Sequence, residues 1–393
     1  MLNNKPIKLV SDPVNKSDIK ALCDWLGNGE RDVPQISKGK KTLEFEQKWA
    51  DAIGREYSVF VNSGSSANLL MIDALKQIGI LKSGDKIVVP SLAWITSVSP
   101  IIQLGFTPIL VDCNMQDLSA DLDHLEQIFK KDHPKVFLLV PILGLVPDMQ
   151  KIIELCSKHG VRLIIDNCES VGSKFKGRLL EDYGLMASSS HYVGHQITSG
   201  EGGSIATSDE DLYSLLKQLR SHGWTRDLTE ERQKEYRVKY NLSKFNELYS
   251  FIYPAYNLRS TELQAFLGIR NIDKMDQIID ARNKNFLLYN EMIDNKYWKP
   301  VQNENCFVSN LGYPVIHPKR DEIIESLRGN GVECRPLVSG SMNQQPFWIE
   351  LYGKQYLKNV DLVNDYGLYL PNHPDLTEDE IKFVSSIVNR FTS

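Results

Sequence analysis

Short apolar runs alternate with helical stretches through the first two-thirds of this 393-residue chain. The runs are rich in valine, isoleucine and leucine, and they have the length of a buried strand rather than of a bilayer span. They lie at Tyr57–Val61, Lys86–Pro90, Thr107–Val111, Val136–Val140 and Arg162–Asp166. Strands of this kind, separated by helices, predict an α/β layered fold with a mainly parallel sheet.

The helical pattern has five parts. Three helices are predicted between the strands, at Ala67–Ile78, Ile95–Leu104 and Met149–His159. The segment from Leu212 to Tyr249 is charged and helical, and one long helix is predicted over Ser260–Tyr289.

Charge and cysteine usage exclude several classes of protein. The net charge of −5 offers no basic face for nucleic acid or an anionic membrane. The first residues lack the apolar core and cleavage site of a signal peptide, so we expect a cytoplasmic protein. Six widely spaced cysteines, without a CxxC pair, predict buried thiols in a reducing compartment and no zinc or iron–sulfur site.

Two polar motifs follow predicted strands. Asn62-Ser63-Gly64-Ser65-Ser66 comes before a helix, where small residues and the helix N-terminus suit a phosphate, although the same pattern also forms a plain helix cap. Asp166 ends a buried strand, at the edge of the sheet where open α/β folds place ligands. Its carboxylate could pair with a protonated pyridine nitrogen or simply cap the next turn.

The order of motifs along the chain resembles the DegT/DnrJ/EryC1/StrS family of sugar aminotransferases, from about residue 10 to the C-terminus. The matching segments are Asn62–Asn68, Pro90–Trp94, Asp166–Glu169, Ser190–Gly203 and Tyr256–Ala265. The resemblance implies the aspartate-aminotransferase-type fold (fold type I of pyridoxal phosphate enzymes) and a homodimer whose active sites are shared. We therefore expect a large cofactor-binding domain over 1–250, a smaller α/β domain over 251–393, and an N-terminal segment that packs on the smaller domain.

The resemblance also implies roles for single residues. Gly64, Ser65 and Ser190 match phosphate-binding positions, and Asn257 matches a phosphate contact made to the partner subunit's cofactor. Asp166 matches the partner of the pyridine nitrogen.

Two more matching positions lie beside the cofactor ring in the family. Glu169 occupies a position often filled by a glutamine near the ring hydroxyl. Trp94 matches an aromatic residue that stacks on the ring, and its alternative is an ordinary core tryptophan.

His195 stands where the family has the lysine that binds pyridoxal phosphate covalently. A histidine cannot form that bond, so the resemblance implies non-covalent pyridoxal or pyridoxamine phosphate, with His195 as a base. The ordinary histidine pKa of about 6.5 suits a base near neutrality. The histidine-for-lysine branch implies a 3-dehydratase that converts a nucleotide-linked 4-keto-6-deoxyhexose to a 3,6-dideoxy-4-keto sugar, with glutamate as amino donor.

Two alternatives stay open at this point. One is a nucleotide-sugar aminotransferase, or another pyridoxamine phosphate enzyme, that uses histidine in place of lysine. The other is a non-catalytic member of the fold. Arg226, Arg259 and Arg335 are the candidates for binding the substrate diphosphate or the donor carboxylates, unless they form only surface salt bridges.

Overall fold

The computed structural model describes residues 5–27 and 36–391. Its strands are β1 Tyr57–Val61, β2 Lys86–Pro90, β3 Thr107–Val111, β4 Val136–Leu139, β5 Arg162–Asp166, β6 Lys174–Phe175, β7 Arg178–Leu179, β8 Ala187–Ser190, β9 Gly203–Thr207, β10 Cys306–Phe307, β11 Gly312–Ile316, β12 Arg335–Pro336 and β13 Gly367–Pro371. The five strands predicted from the sequence are all present, and β4 ends one residue earlier than expected.

Seven of these strands form the main sheet, in the order β1-β9-β8-β5-β4-β2-β3. β9 runs antiparallel to both of its neighbours, and the other pairs are parallel. All four residues of β4 are buried, and so are four of the five in β5. Strands buried on both faces are typical of a parallel sheet covered by helices on each side, which confirms the predicted fold class.

Two smaller sheets complete the architecture. β10, β6 and β7 form one of them, and β11, β13 and β12 form the other, each in the order given. The second sheet lies in the C-terminal part of the chain, where Ile7 forms a bridge to Val332. The N-terminal segment therefore contacts this part at Ile7, and the division into two domains, with the boundary at residue 250, stays a prediction.

The helices are α1 Lys16–Gly27, α2 Lys40–Ile53, α3 Gly64–Gln77, α4 Ile95–Gln103, α5 Leu122–Asp132, α6 Met149–His159, α7 Glu210–Arg220, α8 Glu230–Lys239, α9 Glu262–Ile272, α10 Met275–Met292, α11 Arg320–Gly329, α12 Pro346–Tyr352, α13 Lys358–Tyr366 and α14 Glu378–Val388. Side-chain caps fix several of their starts. Ser63 accepts a hydrogen bond from Ser66 N at the start of α3, and Thr261 and Gln264 form a capping box at the start of α9.

The single long helix predicted over Ser260–Tyr289 is wrong. The structure has two helices there, α9 and α10, separated at Asp273 and Lys274. α9 packs on α2, whereas α10 packs on α14, so the chain has to change direction between the two contacts. The segment after Leu212 is likewise divided, into α7, α8 and a short 3₁₀ turn at Glu247–Tyr249.

The prediction that the cysteines are buried holds for three of the six. Cys113, Cys156 and Cys334 are buried, Cys168 and Cys306 are half-buried, and Cys23 is exposed on α1. All six are free thiols. Within residues 5–27 and 36–391, no helix combines the length and apolar character needed to cross a bilayer.

Candidate active site

The predicted site residues gather at the carboxyl edge of the main sheet. Asp166 is the last residue of β5, and Ser190 is the last residue of β8. β1 leads directly into the turn before α3, and β2 is followed by Trp94 at the start of α4. Because parallel strands all end at the same edge, these residues come from distant parts of the chain to one place.

The start of α3 makes a close contact with the end of β8. A Cβ atom on Gly64 would lie 2.8 Å from Ser190 Cβ and 2.9 Å from Cys168 Sγ, so only glycine fits. On the other side, a Cβ on Gly203 would lie 2.3 Å from the backbone of Ser63. The first amide groups of α3 therefore lie close to Ser190, and the free N–H groups of a helix start suit an anion such as a phosphate.

The Asp166 carboxylate is buried and held in a fixed orientation. Its Oδ2 atom accepts hydrogen bonds of 2.7 Å from both Asn68 Nδ2 and Ser97 Oγ. Its Oδ1 atom accepts one from Cys168 N at 3.2 Å. Ser188 Oγ in turn donates to Asn68 Oδ1 at 2.6 Å, which fixes the amide that supports the carboxylate.

His195 lies beside this carboxylate, in the loop between β8 and β9. Its Nδ1 atom is enclosed by protein and has no hydrogen-bond partner among the described residues. Burial lowers the pKa of His195 to about 4, although the Cys168 backbone and the Asp166 charge act to raise it; the charge of Arg282 lowers it further. The expectation of an ordinary histidine pKa near 6.5 is therefore wrong, because the ring is largely removed from water.

A second histidine anchors the same loop. His191 is fully buried, and its ring bonds Ile197 O through Nδ1 at 3.2 Å and Ser204 Oγ through Nε2 at 2.9 Å. Trp49 packs edge-on against it, with 4.6 Å between ring centroids. Burial lowers the pKa of His191 to about 3, so it is a neutral structural support for the loop that carries His195.

Glu169 also faces this region, three residues after Asp166. Its Oε2 atom accepts a hydrogen bond from Leu143 N at 2.8 Å. Burial raises the pKa of Glu169 to about 7, against the lowering effect of that hydrogen bond, and the charge of Asp166 adds to the increase. Its backbone carbonyl accepts a hydrogen bond from Gln196, the residue after His195, at 2.7 Å.

Trp94 is not a core tryptophan. Its side chain is 53% exposed, which leaves a large aromatic face open beside the site. The following helix, α4, carries Ser97, which donates to Asp166. Trp94 therefore begins the helix that contacts Asp166, and its indole is open to solvent.

The three candidate arginines lie in two different parts of the structure, two of them beside Trp224 and one on β12. The guanidinium groups of Arg226 and Arg259 both lie over the ring of Trp224, at 5.5 and 5.6 Å from its centroid. Arg335 is on β12, where its charge and a hydrogen bond act on Tyr369 of β13. None of the three forms an ion pair within the part of the chain that the structure describes.

Asn257 is exposed, and its backbone bridges Ser221. The next residue, Leu258, accepts a hydrogen bond from Asn62 N at 3.0 Å. Asn257 therefore lies next to the residue that contacts the turn leading into α3, and its side chain is exposed.

These groups fit a pyridoxal phosphate cofactor. The surface beside Gly64 and Ser190 matches a phosphate, the oriented carboxylate of Asp166 matches a pyridine nitrogen, and the open face of Trp94 matches an aromatic ring. The run from Ser190 to Gly203 contains no lysine, so the fit is to a cofactor held without a covalent bond.

Sequence reasoning missed several residues that support the site. Ser97 and Ser188 hold Asp166 and its amide neighbour, and Gln196, Asn310 and Arg282 hold the loops around it. Serine, glutamine and asparagine are common surface residues, so the sequence carried no signal for their positions.

Comparison with known proteins identifies the class to which this protein belongs: the pyridoxal phosphate enzymes that act on nucleotide sugars. Residues 20–389 match the model of the DegT/DnrJ/EryC1/StrS aminotransferase family. The chain belongs to this family, which confirms the resemblance deduced from its motifs.

Individual relatives show which enzymes of this family the chain is similar to. GDP-4-keto-6-deoxy-D-mannose 3-dehydratase of Yersinia pseudotuberculosis is 31% identical over 369 residues, which cover 91% of this chain and 93% of that protein. GDP-perosamine synthase of Caulobacter vibrioides is 30% identical over 363 residues, covering 90% and 91% respectively.

A solved structure of the same kind of 3-dehydratase is also similar to this chain. The crystal structure of GDP-4-keto-6-deoxymannose-3-dehydratase with a trapped PLP–glutamate geminal diamine has a TM-score of 0.87 and 29% identity; the match covers 98% of this chain and 100% of that one. The predicted fold, the pyridoxal phosphate cofactor and the 3-dehydratase type of enzyme are thus confirmed.

Proposed function

We propose that this protein removes the C3 hydroxyl of a GDP-linked 4-keto-6-deoxymannose and uses glutamate as amino donor. The observation that carries the proposal is His195: a neutral, enclosed base that cannot hold the cofactor covalently stands at the position of the family's lysine. Similarity to the GDP-sugar 3-dehydratase supports the choice of substrate.

Each residue assigned to the candidate active site has a part in the proposed reaction. When bound, the cofactor supplies an amine and an electron-withdrawing ring, which together make a proton removable and allow the C3 hydroxyl to leave. Asp166 pairs with the ring nitrogen, Trp94 covers one face, and Gly64, Ser65 and Ser190 bind the phosphate.

His195 moves the proton. Its pKa of about 4 keeps the ring neutral at pH 7, so a ring nitrogen is free to accept a proton. The same low pKa makes the protonated ring more acidic than an ordinary imidazolium, which favours return of the proton to the departing hydroxyl. One histidine thus serves as both base and acid.

The products distinguish dehydration from amino transfer. In the proposed reaction the sugar is reduced by two electrons, glutamate is oxidised to 2-oxoglutarate, and the nitrogen leaves as ammonia. With ¹⁵N-glutamate, we expect one labelled ammonia for each 3,6-dideoxy-4-keto sugar, measured by mass spectrometry. Label retained on the sugar would instead support an aminotransferase, such as the GDP-perosamine synthase relative. The dTDP- and CDP-linked 4-keto sugars serve as controls for the nucleotide.

Two further features belong to the proposal. The enzyme acts in the cytoplasm. It works as a homodimer in which Asn257 of each subunit reaches the phosphate held by the other, which agrees with the exposed position of this side chain.

The arginines are proposed as anion-binding residues. Arg259 and Arg335 are the preferred pair, because they lie on separate elements and could bind the diphosphate and the donor carboxylate respectively; Arg226 shares Trp224 with Arg259. Replacing either by lysine keeps the charge but removes the planar, two-pronged geometry.

We therefore expect Arg259→Lys to raise the KM for the sugar nucleotide, and Arg335→Lys to raise the KM for glutamate, each by roughly 10-fold or more, as loss of a charged hydrogen bond implies. Steady-state kinetics with each substrate varied in turn measures this. Arg232→Lys is the matched control, since Arg232 forms exposed ion pairs on α8. Unchanged constants in both variants would exclude the two arginines from binding.

A further inference from the structure

A buried cation lies behind the site without a carboxylate partner. Arg282, in the middle of α10, is 5% exposed and forms no ion pair among the described residues. Its Nη1 atom donates to three backbone carbonyls instead: Asn310 O at 3.3 Å, Leu311 O at 3.2 Å, and Asn372 O. One guanidinium group therefore joins α10 to two segments of the C-terminal part.

The segment 309–311 carries these contacts to the active site. Asn310 Nδ2 donates to Leu143 O at 2.7 Å, and Leu311 N donates to the same carbonyl at 2.9 Å. Leu143 N donates to the Glu169 carboxylate at 2.8 Å. A short path of hydrogen bonds thus runs from Arg282 to Glu169.

A second path reaches the catalytic loop. Gln196, the residue after His195, donates through Nε2 to Ser309 O at 3.1 Å and to Glu169 O at 2.7 Å. The backbone of Ser309 is itself fixed by Ser173 Oγ at 3.0 Å. Displacement of the 309–311 segment would therefore move Gln196 and, with it, His195.

We propose that Arg282 is a positioning residue of this enzyme: it holds the 309–311 segment, and through that segment the places of Glu169 and of the loop that carries His195. The arginine itself touches neither substrate nor cofactor in this proposal.

The charge acts on His195 together with a small set of groups. Asp166 at the end of β5 and the Cys168 backbone favour the protonated ring, whereas Arg282 on α10 disfavours it. Tyr192 packs edge-on against the ring, with 6.3 Å between centroids. Removing the Arg282 charge makes protonation of His195 easier, so its pKa rises and the acidic limb of the pH–rate profile moves to higher pH.

Two substitutions separate geometry from charge. Arg282→Lys keeps the charge, but a single ammonium cannot hold three carbonyls in the same arrangement. We expect its kcat to fall by about 10²-fold, the cost of a small misplacement of catalytic groups, with KM for the sugar nucleotide little changed. Arg282→Met loses both features, so its kcat should fall further and its His195 titration should shift upward.

The titration of His195 can be observed without turnover. ¹³C-labelled histidine spectra of the cofactor-loaded protein follow each ring with pH, and the His195 signal is identified by its loss in His195→Asn. The same assignment separates it from His373, whose pKa the Arg282 charge also lowers. This measurement does not depend on the substrate, so it tests Arg282 even if the proposed dehydration is not found.

Arg55 is the matched control. It is 9% exposed and donates through Nη2 to Gly184 O at 3.1 Å and Leu185 O at 3.2 Å, at the opposite edge of the sheet, where β8 begins. Arg55→Lys and Arg55→Met should leave the His195 titration in place and cost much less kcat. The proposal is overturned if they lower kcat as much as the Arg282 variants, or if His195 titrates unchanged in Arg282→Met. If Arg282→Met does not fold, retention of kcat within about threefold in Arg282→Lys overturns it as well.

Discussion

Replacing His195 by asparagine should slow formation of the 3-deoxy sugar by about 10²- to 10⁴-fold, the usual contribution of a positioned base. Asparagine has a similar size but cannot take up a proton, so the loop keeps its anchors at His191 while proton transfer is lost. Cofactor binding should persist, because the groups assigned to the phosphate and ring nitrogen are unchanged. Initial rates and the absorbance of the bound cofactor measure the two properties separately.

The matched control is His133→Asn. His133 is exposed and ends α5 in a left-handed conformation, with φ of 47°, which asparagine also adopts readily. This variant should behave like the wild type. If His195→Asn retains activity within about threefold of it, His195 is not the base.

Mixing two inactive variants should restore about a quarter of the wild-type activity, provided that subunits exchange freely between dimers. One variant is Asp166→Ala, which lacks the carboxylate held by Asn68 and Ser97. The other is Asn257→Ala, which lacks the proposed contact to the neighbouring subunit's phosphate. Half of the dimers are then mixed, and each of these has one intact site and one site without either residue.

Activity is measured before and after mixing, with subunit exchange verified by mass spectrometry of differently labelled chains. The control pair is Asp166→Ala with Asp166→Asn, which share a defect and cannot complement one another. If mixed dimers form and no activity returns, Asn257 does not act across the interface.

The sequence predicted the residues that follow a strand. Asp166 ends β5 and Gly64 begins α3 directly after β1, and the carboxyl edge of a parallel sheet brings such positions together whatever the intervening chain does. Ser190, at the end of β8, was indicated only by the family resemblance, because β8 was not among the predicted strands. The bounds of the predicted strands were accurate because a five-residue apolar run has few ways to be buried other than as a strand.

Arg282 could not be found in this way. In a helical pattern an arginine is usually a solvated charge, and nothing near it in sequence indicates burial. The carbonyls that it binds belong to residues about 30 and 90 positions further along the chain. The break between α9 and α10 was missed for a similar reason, because the helices' packing partners, α2 and α14, lie far from them in sequence.

The raised pKa of Glu169 has a consequence for the family's side-chain choice at this position. With a pKa of about 7, the carboxyl group is about half protonated in a neutral solution. Its acid form presents an O–H group, much as a glutamine presents an N–H group, whereas its ionised form only accepts hydrogen bonds. Glutamate here therefore resembles glutamine in mild acid, where it can donate a hydrogen bond to a neighbouring oxygen. In mild alkali it differs from glutamine, because the ionised carboxylate can only accept a hydrogen bond.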